Sequence, residues 1–245
     1  MSQQTVEECC RFLQQIEDSP LVIQFHGGEP LLDYDKLVYI VNTLLSGKKT
    51  EQQIMFGVTT NAAFLDHEKI DFLSKYMNFG FSISLDGNKK VNDMMRISNS
   101  DEGTYESIIA QTKLALAMNR KTRIRLTFTP ETVPFLFESV KHCVEIGARI
   151  IAAHPDYFNQ EWTYGDLEIY QDQLMKIKQY YDGLENKTDI DISLLDNKPF
   201  KKTKCTGGTS SLHVSPEGKL FPCVYTMNNE KYCIGNVTNG VDMKI

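Results

Sequence analysis

The sequence predicts an α/β protein built around a parallel β-sheet. Over the first 180 residues, five short β-branched or apolar runs alternate with longer amphipathic stretches. Strands that alternate with helices of about 10–15 residues imply right-handed βαβ crossovers, which make the strands parallel. A closed barrel of eight strand–helix pairs would need three more pairs. The pattern therefore leaves a partial barrel or an open doubly wound sheet.

The individual elements follow from periodicity and from helix-capping signals. Thr5-Val6-Glu7-Glu8 is a capping box that predicts the start of the first helix. This helix either returns from a strand that would precede Met1 or packs on the sheet without one. Helices are predicted at residues 5–16, 34–45, 66–76, 104–118, 132–146 and 166–181, and strands at 21–25, 54–59, 79–85, 123–129 and 149–153.

The pattern changes after residue 181. A short strand is predicted at residues 190–194. Strands at 211–214 and 219–224 flank Ser215-Pro216-Glu217-Gly218, a turn signature, and so predict a β-hairpin. We place a boundary near residue 186, which divides the chain into a main α/β domain (1–186) and a small C-terminal domain (187–245).

Composition limits the classes of protein that the chain can represent. It has 245 residues, 41% of them hydrophobic and 24% charged, which argues against intrinsic disorder. A net charge of −6 argues against a nucleic-acid partner. The longest apolar runs are too short to span a membrane, and the N-terminus lacks the basic and apolar segments of a signal peptide. We therefore expect a cytoplasmic protein that binds neither nucleic acid nor membranes.

Polar residues collect where the predicted strands end. Because ligands bind at the carboxyl ends of parallel strands, these residues predict a ligand site at one edge of the sheet. His154 and Asp156 are candidates for a base or a substrate contact there, with an ordinary polar loop as the alternative. The polar groups are His26 to Pro30 after the first strand, Thr60-Asn61 after the second, Ser84 to Gly87 after the third, Arg125, Thr127 and Thr129 on the fourth, and His154 to Asp156 after the fifth.

Gly27-Gly28-Glu29-Pro30 is the most informative of these groups. Two glycines directly after a buried strand permit positive φ angles and let a ligand touch the backbone. Carbonyl oxygens and the Glu29 carboxylate would present hydrogen-bond acceptors to a cation. The chemistry suits capture of an ammonium group, and the alternative is a tight turn between strand and helix.

The sequence resembles the radical S-adenosylmethionine (SAM) enzymes at five places. Residues 25–32, Phe-His-Gly-Gly-Glu-Pro-Leu-Leu, are similar to the family's "GGEP" motif, and Thr60-Asn61 is similar to a Thr-Asn after its next strand. Ser84-Leu85-Asp86-Gly87 resembles the family's Ser-x-Asp-Gly. Residues 92–96 resemble its His-Asp-x-x-Arg, with Asn92 in place of His, and residues 125–130 resemble its next strand.

The resemblance implies a partial TIM-like barrel that lacks its first strand, and it implies roles in SAM binding. The GGEP segment would bind the amino group of SAM, and the Ser-x-Asp-Gly segment would lie near its ribose and carboxylate. An arginine matches a carboxylate through two parallel hydrogen bonds, which suits Arg125. The implied cofactor-binding residues are Gly27, Gly28, Glu29, Pro30, Asn61, Ser84, Asp86, Arg96 and Arg125.

The C-terminal region is similar to the SPASM extension found in one branch of the family. Cys205, Gly218 and Cys223 have the spacing of its opening motif. In that branch these thiolates help to hold an auxiliary [4Fe–4S] cluster, so the resemblance implies that Cys205 and Cys223 are metal ligands. A hairpin flanked by two cysteines can bring two thiolates to one iron site. Cys233 is a candidate for a further ligand of this site, and the alternative role for it is a buried free thiol.

Two parts of the family pattern are missing from the chain. It has no C-x-x-x-C-x-x-C sequence, which holds the catalytic cluster in the family, and the later cysteines of the auxiliary site would lie past Ile245. Both gaps fall at the chain ends. We therefore expect an internal piece of a longer enzyme, inactive by itself, rather than a relative that lacks the cluster.

For the complete enzyme the resemblance implies radical chemistry. A [4Fe–4S] cluster binds SAM, and an electron from a donor such as flavodoxin or ferredoxin cleaves it to a 5′-deoxyadenosyl radical. This radical abstracts hydrogen from the substrate, so the cofactor carries the difficult chemistry. SPASM-bearing members cross-link peptides or proteins, or oxidise a Ser or Cys, which implies a peptide or protein substrate.

Two other functions are compatible with the sequence. A SAM-fold relative without redox activity would hold a nucleotide or a peptide as a binding module. A zinc protein would use Cys205, Cys223 and Cys233 with His213, since zinc accepts mixed tetrahedral ligands. Iron with acid-labile sulfide would favour the cluster, and stoichiometric zinc without sulfide would favour the zinc protein.

Overall fold

The larger of the two β-sheets has six strands. The computed structural model describes residues 1–49, 51–158, 160–196 and 205–242. The sheet has the strand order β1-β2-β3-β4-β5-β6, and the pairs from β2 to β6 are parallel. Its strands are β1 (Leu21–Phe25), β2 (Ile54–Thr60), β3 (Gly80–Ser84), β4 (Arg123–Phe128), β5 (Ile150–Pro155) and β6 (Asp191–Ile192).

The strand order decides between the two architectures that the sequence left open. Each strand lies beside the one before it, without the reversal of order that defines a doubly wound sheet. Right-handed crossovers in a single direction place the connecting helices on one face. The winding is therefore that of a (β/α) barrel, and closure of a barrel is not shown.

Seven α-helices connect or flank these strands in the described ranges. Their positions confirm the predicted helices to within a few residues. One helix, α4, was not predicted, and the 3₁₀ turn Val133–Phe135 replaces the predicted start of α6. The helices are α1 (Gln3–Gln14), α2 (Tyr34–Gly47), α3 (His67–Tyr76), α4 (Lys89–Met95), α5 (Tyr105–Met118), α6 (Leu136–Glu145) and α7 (Tyr164–Asp182).

The capping box predicted at the start of the first helix is wrong. The N-cap of α1 is Ser2, whose side chain accepts a hydrogen bond from the Thr5 amide. Thr5 therefore lies inside the first turn. A capping box does occur at Thr163 and Asp166, where it begins α7.

The two faces of the sheet differ in polarity. Phe81, Ile124, Leu126 and Ile151 are buried, and the strand register places them on the same face. The register places the alternate residues on the opposite face. We call this opposite side the open face, and it carries Thr59, Ser84, Arg125, Thr127 and His154, all of them at least partly exposed.

The predicted C-terminal hairpin is present and belongs to a small antiparallel sheet. Its strands β7 (His213–Val214) and β8 (Lys219–Phe221) are shorter than predicted. β9 (Gly235–Asn236) and β10 (Gly240–Val241) complete the order β10-β9-β8-β7. The hydrophobic cluster of this sheet includes Cys9 of α1 together with Leu220, Ile234 and Val237.

The chain divides into two compact units. One contains Met1–Val22, Asp33–Ile54 and the described residues of 199–245, and the other contains Ile23–Leu32 and the described residues of 55–198. The boundary near residue 186 stays a prediction. None of the helices in the described part of the chain is long and apolar enough to cross a membrane.

The turn after β3 gives a test of the packing. Gly87 has a φ of +132°, and a Cβ there would lie 2.6 Å from the Cβ of Ser139 on α6. Gly147 has a φ of +103°, but nothing lies within 4 Å of its Cβ position. Both alanine variants would strain the backbone, and only Gly87→Ala would also create a clash.

We therefore expect Gly87→Ala to lower the free energy of unfolding by about 1–3 kcal/mol more than Gly147→Ala does. Urea unfolding curves of both variants beside the unmodified protein measure this difference. Equal losses of stability would show that the turn does not pack tightly on α6.

Candidate functional site

The turn after β1 exposes its backbone. Gly27 has a φ of +145°, a conformation that favours glycine. Nothing lies within 4 Å of the positions that a Cβ would take at Gly27 or at Gly28. Pro30 then begins a 3₁₀ helix, Pro30–Asp33. The double glycine is therefore open to close approach by a ligand.

The Glu29 carboxylate joins this turn to the end of β2. Oε1 accepts hydrogen bonds from the Leu31 amide at 3.0 Å and from the Thr60 hydroxyl at 2.6 Å, and Oε2 accepts one from the Asn61 amide at 2.7 Å. We call these four residues the Glu29 clasp. Since a carboxylate offers about four acceptor positions, the clasp uses most of them. Glu29 therefore fixes the two turns against each other at the carboxyl end of the strands.

Asp86 and Arg96 form a second connection within the same unit. The Asp86 side chain is 1% exposed and Arg96 Nε lies 2.7 Å from its Oδ2. Asp86 Oδ1 accepts hydrogen bonds from Arg96 Nη2 at 3.1 Å and from the Thr127 amide at 2.8 Å. The Asp86 amide donates to Asn92 Oδ1 at 3.3 Å. This buried pair holds the β3 turn against α4 and β4.

Ser84 and Arg125 lie side by side on the open face. They are register partners on β3 and β4. Arg125 is exposed, and no hydrogen bond or ion pair joins its guanidinium to another described residue. A free guanidinium beside a hydroxyl is suited to an anionic ligand group.

Two histidines near Arg125 are shifted toward the neutral form. Partial desolvation lowers the pKa of His26, and the nearby Arg125 charge lowers it further. The pKa of His154 is lowered in the same way, first by desolvation and then by Arg125 and Arg123. At neutral pH the positive charge on this face therefore resides on the arginines.

The loop after β5 is held by Asp156. Its carbonyl accepts a hydrogen bond from Trp162 Nε1 at 2.8 Å, and its Oδ1 accepts one from the Phe158 amide at 3.1 Å. The Trp162 ring meets Phe128 edge-on, with 6.0 Å between ring centres. Asp156 thus has a clear role in loop structure, whereas His154 lies on the open face.

The predicted cluster cysteines lie at the small C-terminal sheet. Cys205 is exposed and Cys223 is partly buried, and both are free thiols. A Cβ at Gly207 would lie 3.4 Å from Cys205 Sγ and 2.8 Å from the Pro222 carbonyl oxygen, which brings Cys205 near the chain that enters Cys223. Cys233 Sγ donates to the Gly235 carbonyl at 3.3 Å.

The described residues contain no group of three or more His, Cys, Asp or Glu side chains that could hold a metal ion. The four residues proposed for zinc therefore do not form such a group in this structure. Elsewhere, burial raises the pKa of Cys143 to about 12, as expected for a thiol in the core.

The structure brings the predicted residues together in three sets. The Glu29 clasp joins the turn of Gly27, Gly28, Glu29 and Pro30 to Asn61. Ser84 and Arg125 are neighbours on the open face, and Asp86 and Arg96 are paired below the carboxyl edge. The sequence analysis did not predict that the Thr60 hydroxyl binds Glu29. The Thr60-Asn61 motif did identify this segment as part of the site.

The chain was also compared with known proteins. No protein-family model matches the chain. An uncharacterized protein of Methanocaldococcus jannaschii is 24% identical over 231 residues, which cover 93% of this chain and 76% of that protein. A cysteine-type anaerobic sulfatase-maturating enzyme of Clostridium novyi is 23% identical over 235 residues, covering 87% of this chain and 61% of the enzyme.

Solved structures show the same architecture. The anaerobic sulfatase-maturating enzyme anSMEcpe with bound AdoMet superposes with a TM-score of 0.80 at 17% identity, over 98% of this chain and 70% of that one. The chain has the fold of the radical SAM peptide-modifying enzymes. Streptococcus suis SuiB bound to its precursor peptide SuiA has a TM-score of 0.69 at 15% identity, over 96% of this chain and 56% of SuiB.

The Asp86–Arg96 pair yields a prediction about this radical SAM fold. Asp86→Asn keeps the shape of the side chain but leaves Arg96, whose side chain is 28% exposed, without its counter-charge. We expect a loss of about 2–3 kcal/mol in the free energy of unfolding, since Arg96 is partly solvated and a buried pair costs more to break.

Asp189→Asn is the matched control, because Asp189 pairs with Arg120 at 3.0 Å while both side chains are more than half exposed. Exposed ion pairs contribute little, so the control should lose less stability. Urea unfolding of both variants measures the difference. Equal losses would mean that Asp86 does not anchor the β3 turn.

Proposed function

We propose that this chain binds SAM and a peptide as part of a radical SAM enzyme that modifies a peptide or protein. The reaction would be cross-link formation or oxidation of a Ser or Cys. The observation that carries the proposal is the Glu29 clasp beside an open double glycine. It holds two strand-end turns together and leaves backbone atoms of Gly27 and Gly28 accessible.

The residues present fit SAM. The open backbone at Gly27 and Gly28, with the remaining acceptor capacity of Glu29, suits an ammonium group. Asn61 and Ser84 supply polar groups, and Arg125, which pairs with no described residue, supplies a guanidinium for a carboxylate. When bound, SAM supplies the radical that removes a hydrogen atom from the substrate. Asp86 and Arg96 position the β3 and β4 ends that carry Ser84 and Arg125.

The residues present do not fit the primary [4Fe–4S] cluster. The chain has no C-x-x-x-C-x-x-C sequence, so we assign it no ligand and derive no step through it. Cys205 and Cys223 would supply two thiolates to an auxiliary [4Fe–4S] cluster, since iron–sulfur clusters are held by thiolates.

The partners of this enzyme would be a peptide and an electron donor. SuiB has been solved with its precursor peptide, and anSMEcpe with a peptide beside AdoMet. The same fold in this chain supports a peptide or protein substrate. A reductant such as flavodoxin or ferredoxin would deliver the electron.

Binding of SAM to the purified chain tests the proposal. Gly28→Phe adds a bulky side chain at the turn, and the variant should fold because nothing lies within 4 Å of the Gly28 Cβ position and its φ is outside the left-handed range. Gly165→Phe is the control, because Gly165 is exposed on α7 and has only an ordinary 3.7 Å contact. We expect Gly28→Phe to weaken SAM binding about tenfold or more, measured by isothermal titration calorimetry.

The control variant should bind SAM as the unmodified chain does. Failure of the unmodified chain to bind SAM would contradict the proposal. So would a Gly28→Phe variant that binds as tightly as the control, since the ligand would then lie elsewhere.

A further inference from the structure

The open face carries two arginines that no described residue pairs with. Arg123 and Arg125 occupy alternate positions on β4, about 7 Å apart, so both lie on the same face. Neither guanidinium forms a hydrogen bond or an ion pair within the described ranges. Each guanidinium is therefore available to an anionic ligand group.

The Arg123 guanidinium lies over the neighbouring strand β3. A Cβ at Gly80 on the neighbouring strand would lie 3.5 Å from Arg123 Nη1, so the guanidinium extends across β3. Gly57 on β2 is the register partner of Gly80. Side chains of Phe79 and Gln24 approach the Cβ position of Gly57, whereas only Arg123 Nη1 lies within 4 Å of the Cβ position of Gly80, so Gly80 is what lets the guanidinium lie over β3.

Nearby carboxylates do not neutralise this charge. Asp86 is paired with Arg96, and the Glu29 carboxylate is engaged in its clasp. Asp191 lies on the open face as the register partner of Ile150, which in turn pairs with Arg123. Asp191 forms no ion pair with either arginine among the described residues. The face is therefore cationic although the chain as a whole has a net charge of −6.

A single cofactor carboxylate occupies one guanidinium through two parallel hydrogen bonds. If SAM uses Arg125, as the proposed function holds, Arg123 remains for a second anion. We propose that Arg123 binds the carboxylate of an Asp or Glu side chain in the peptide substrate, so that the enzyme selects acidic peptides. This inference rests on the proposed function and adds the chemical class of the substrate.

Peptide pools test the inference without knowledge of the substrate sequence. Fluorescein-labelled pools are randomised except for a fixed central Glu or its neutral isostere Gln, and fluorescence anisotropy measures their binding to the chain with and without SAM. We expect the Glu pool to bind about tenfold more tightly than the Gln pool. In Arg123→Gln this ratio should fall to about twofold or less, while SAM affinity stays unchanged.

Lys121→Gln is the matched control, because it removes one exposed positive charge from the turn before β4, outside the strand that carries Arg123 and Arg125. It should keep the preference for Glu. Arg123→Lys retains the positive charge and should keep part of the preference for the Glu pool. If Arg123→Gln does not fold, raising the salt from about 50 to about 500 mM must reduce the ratio in the unmodified chain, because screening weakens charge interactions.

Equal binding of the two pools, no binding of either pool, or a Glu preference that survives in Arg123→Gln would overturn the inference. Failure of the proposed function gives a different result, because the unmodified chain would then not bind SAM. The SAM titration and the peptide titration therefore separate the two outcomes.

Discussion

The Glu29 carboxylate is the interaction on which the candidate site depends. It accepts hydrogen bonds from two backbone amides and one hydroxyl, and it joins the turn after β1 to the end of β2. With its hydrogen bonds made inside the protein, Glu29 holds the backbone of Gly27 and Gly28 in an open conformation. The motif therefore acts first through local structure, and its affinity for a ligand depends on that structure.

Asp86 has the same function one strand further along the sheet. It is buried, and it gathers Arg96, the Thr127 amide and the β3 turn around one carboxylate. This arrangement gives Arg96 a buried counter-charge, whereas Arg125 on the open face has no ion-pair partner in the described part of the chain. Carboxylates thus fix the framework, while glycines and arginines face the space where a ligand would bind. The carboxylates have this framework role because burying a charge costs free energy unless the charge has a partner.

The sequence predicted the strands and the connecting helices because each has a clear period and clear boundaries. It did not predict α4, which is seven residues long and too short for a periodic pattern. It assigned Glu29, Asp86 and Arg96 to the cofactor from their motifs. The hydrogen bonds of Glu29 to Thr60 and of Asp86 to Thr127 depend on how the strands align. That alignment is a property of the fold and cannot be derived from residue spacing.

Hydrogen exchange of the chain with and without SAM, followed by mass spectrometry, tests the central claim most directly. If the Glu29 clasp supports the cofactor site, SAM should slow amide exchange in residues 26–31 and 60–63, the two turns that Glu29 joins by hydrogen bonds. Exchange in α7 should not change. Unchanged exchange in both turns, with protection confined to other parts of the chain, would contradict the account.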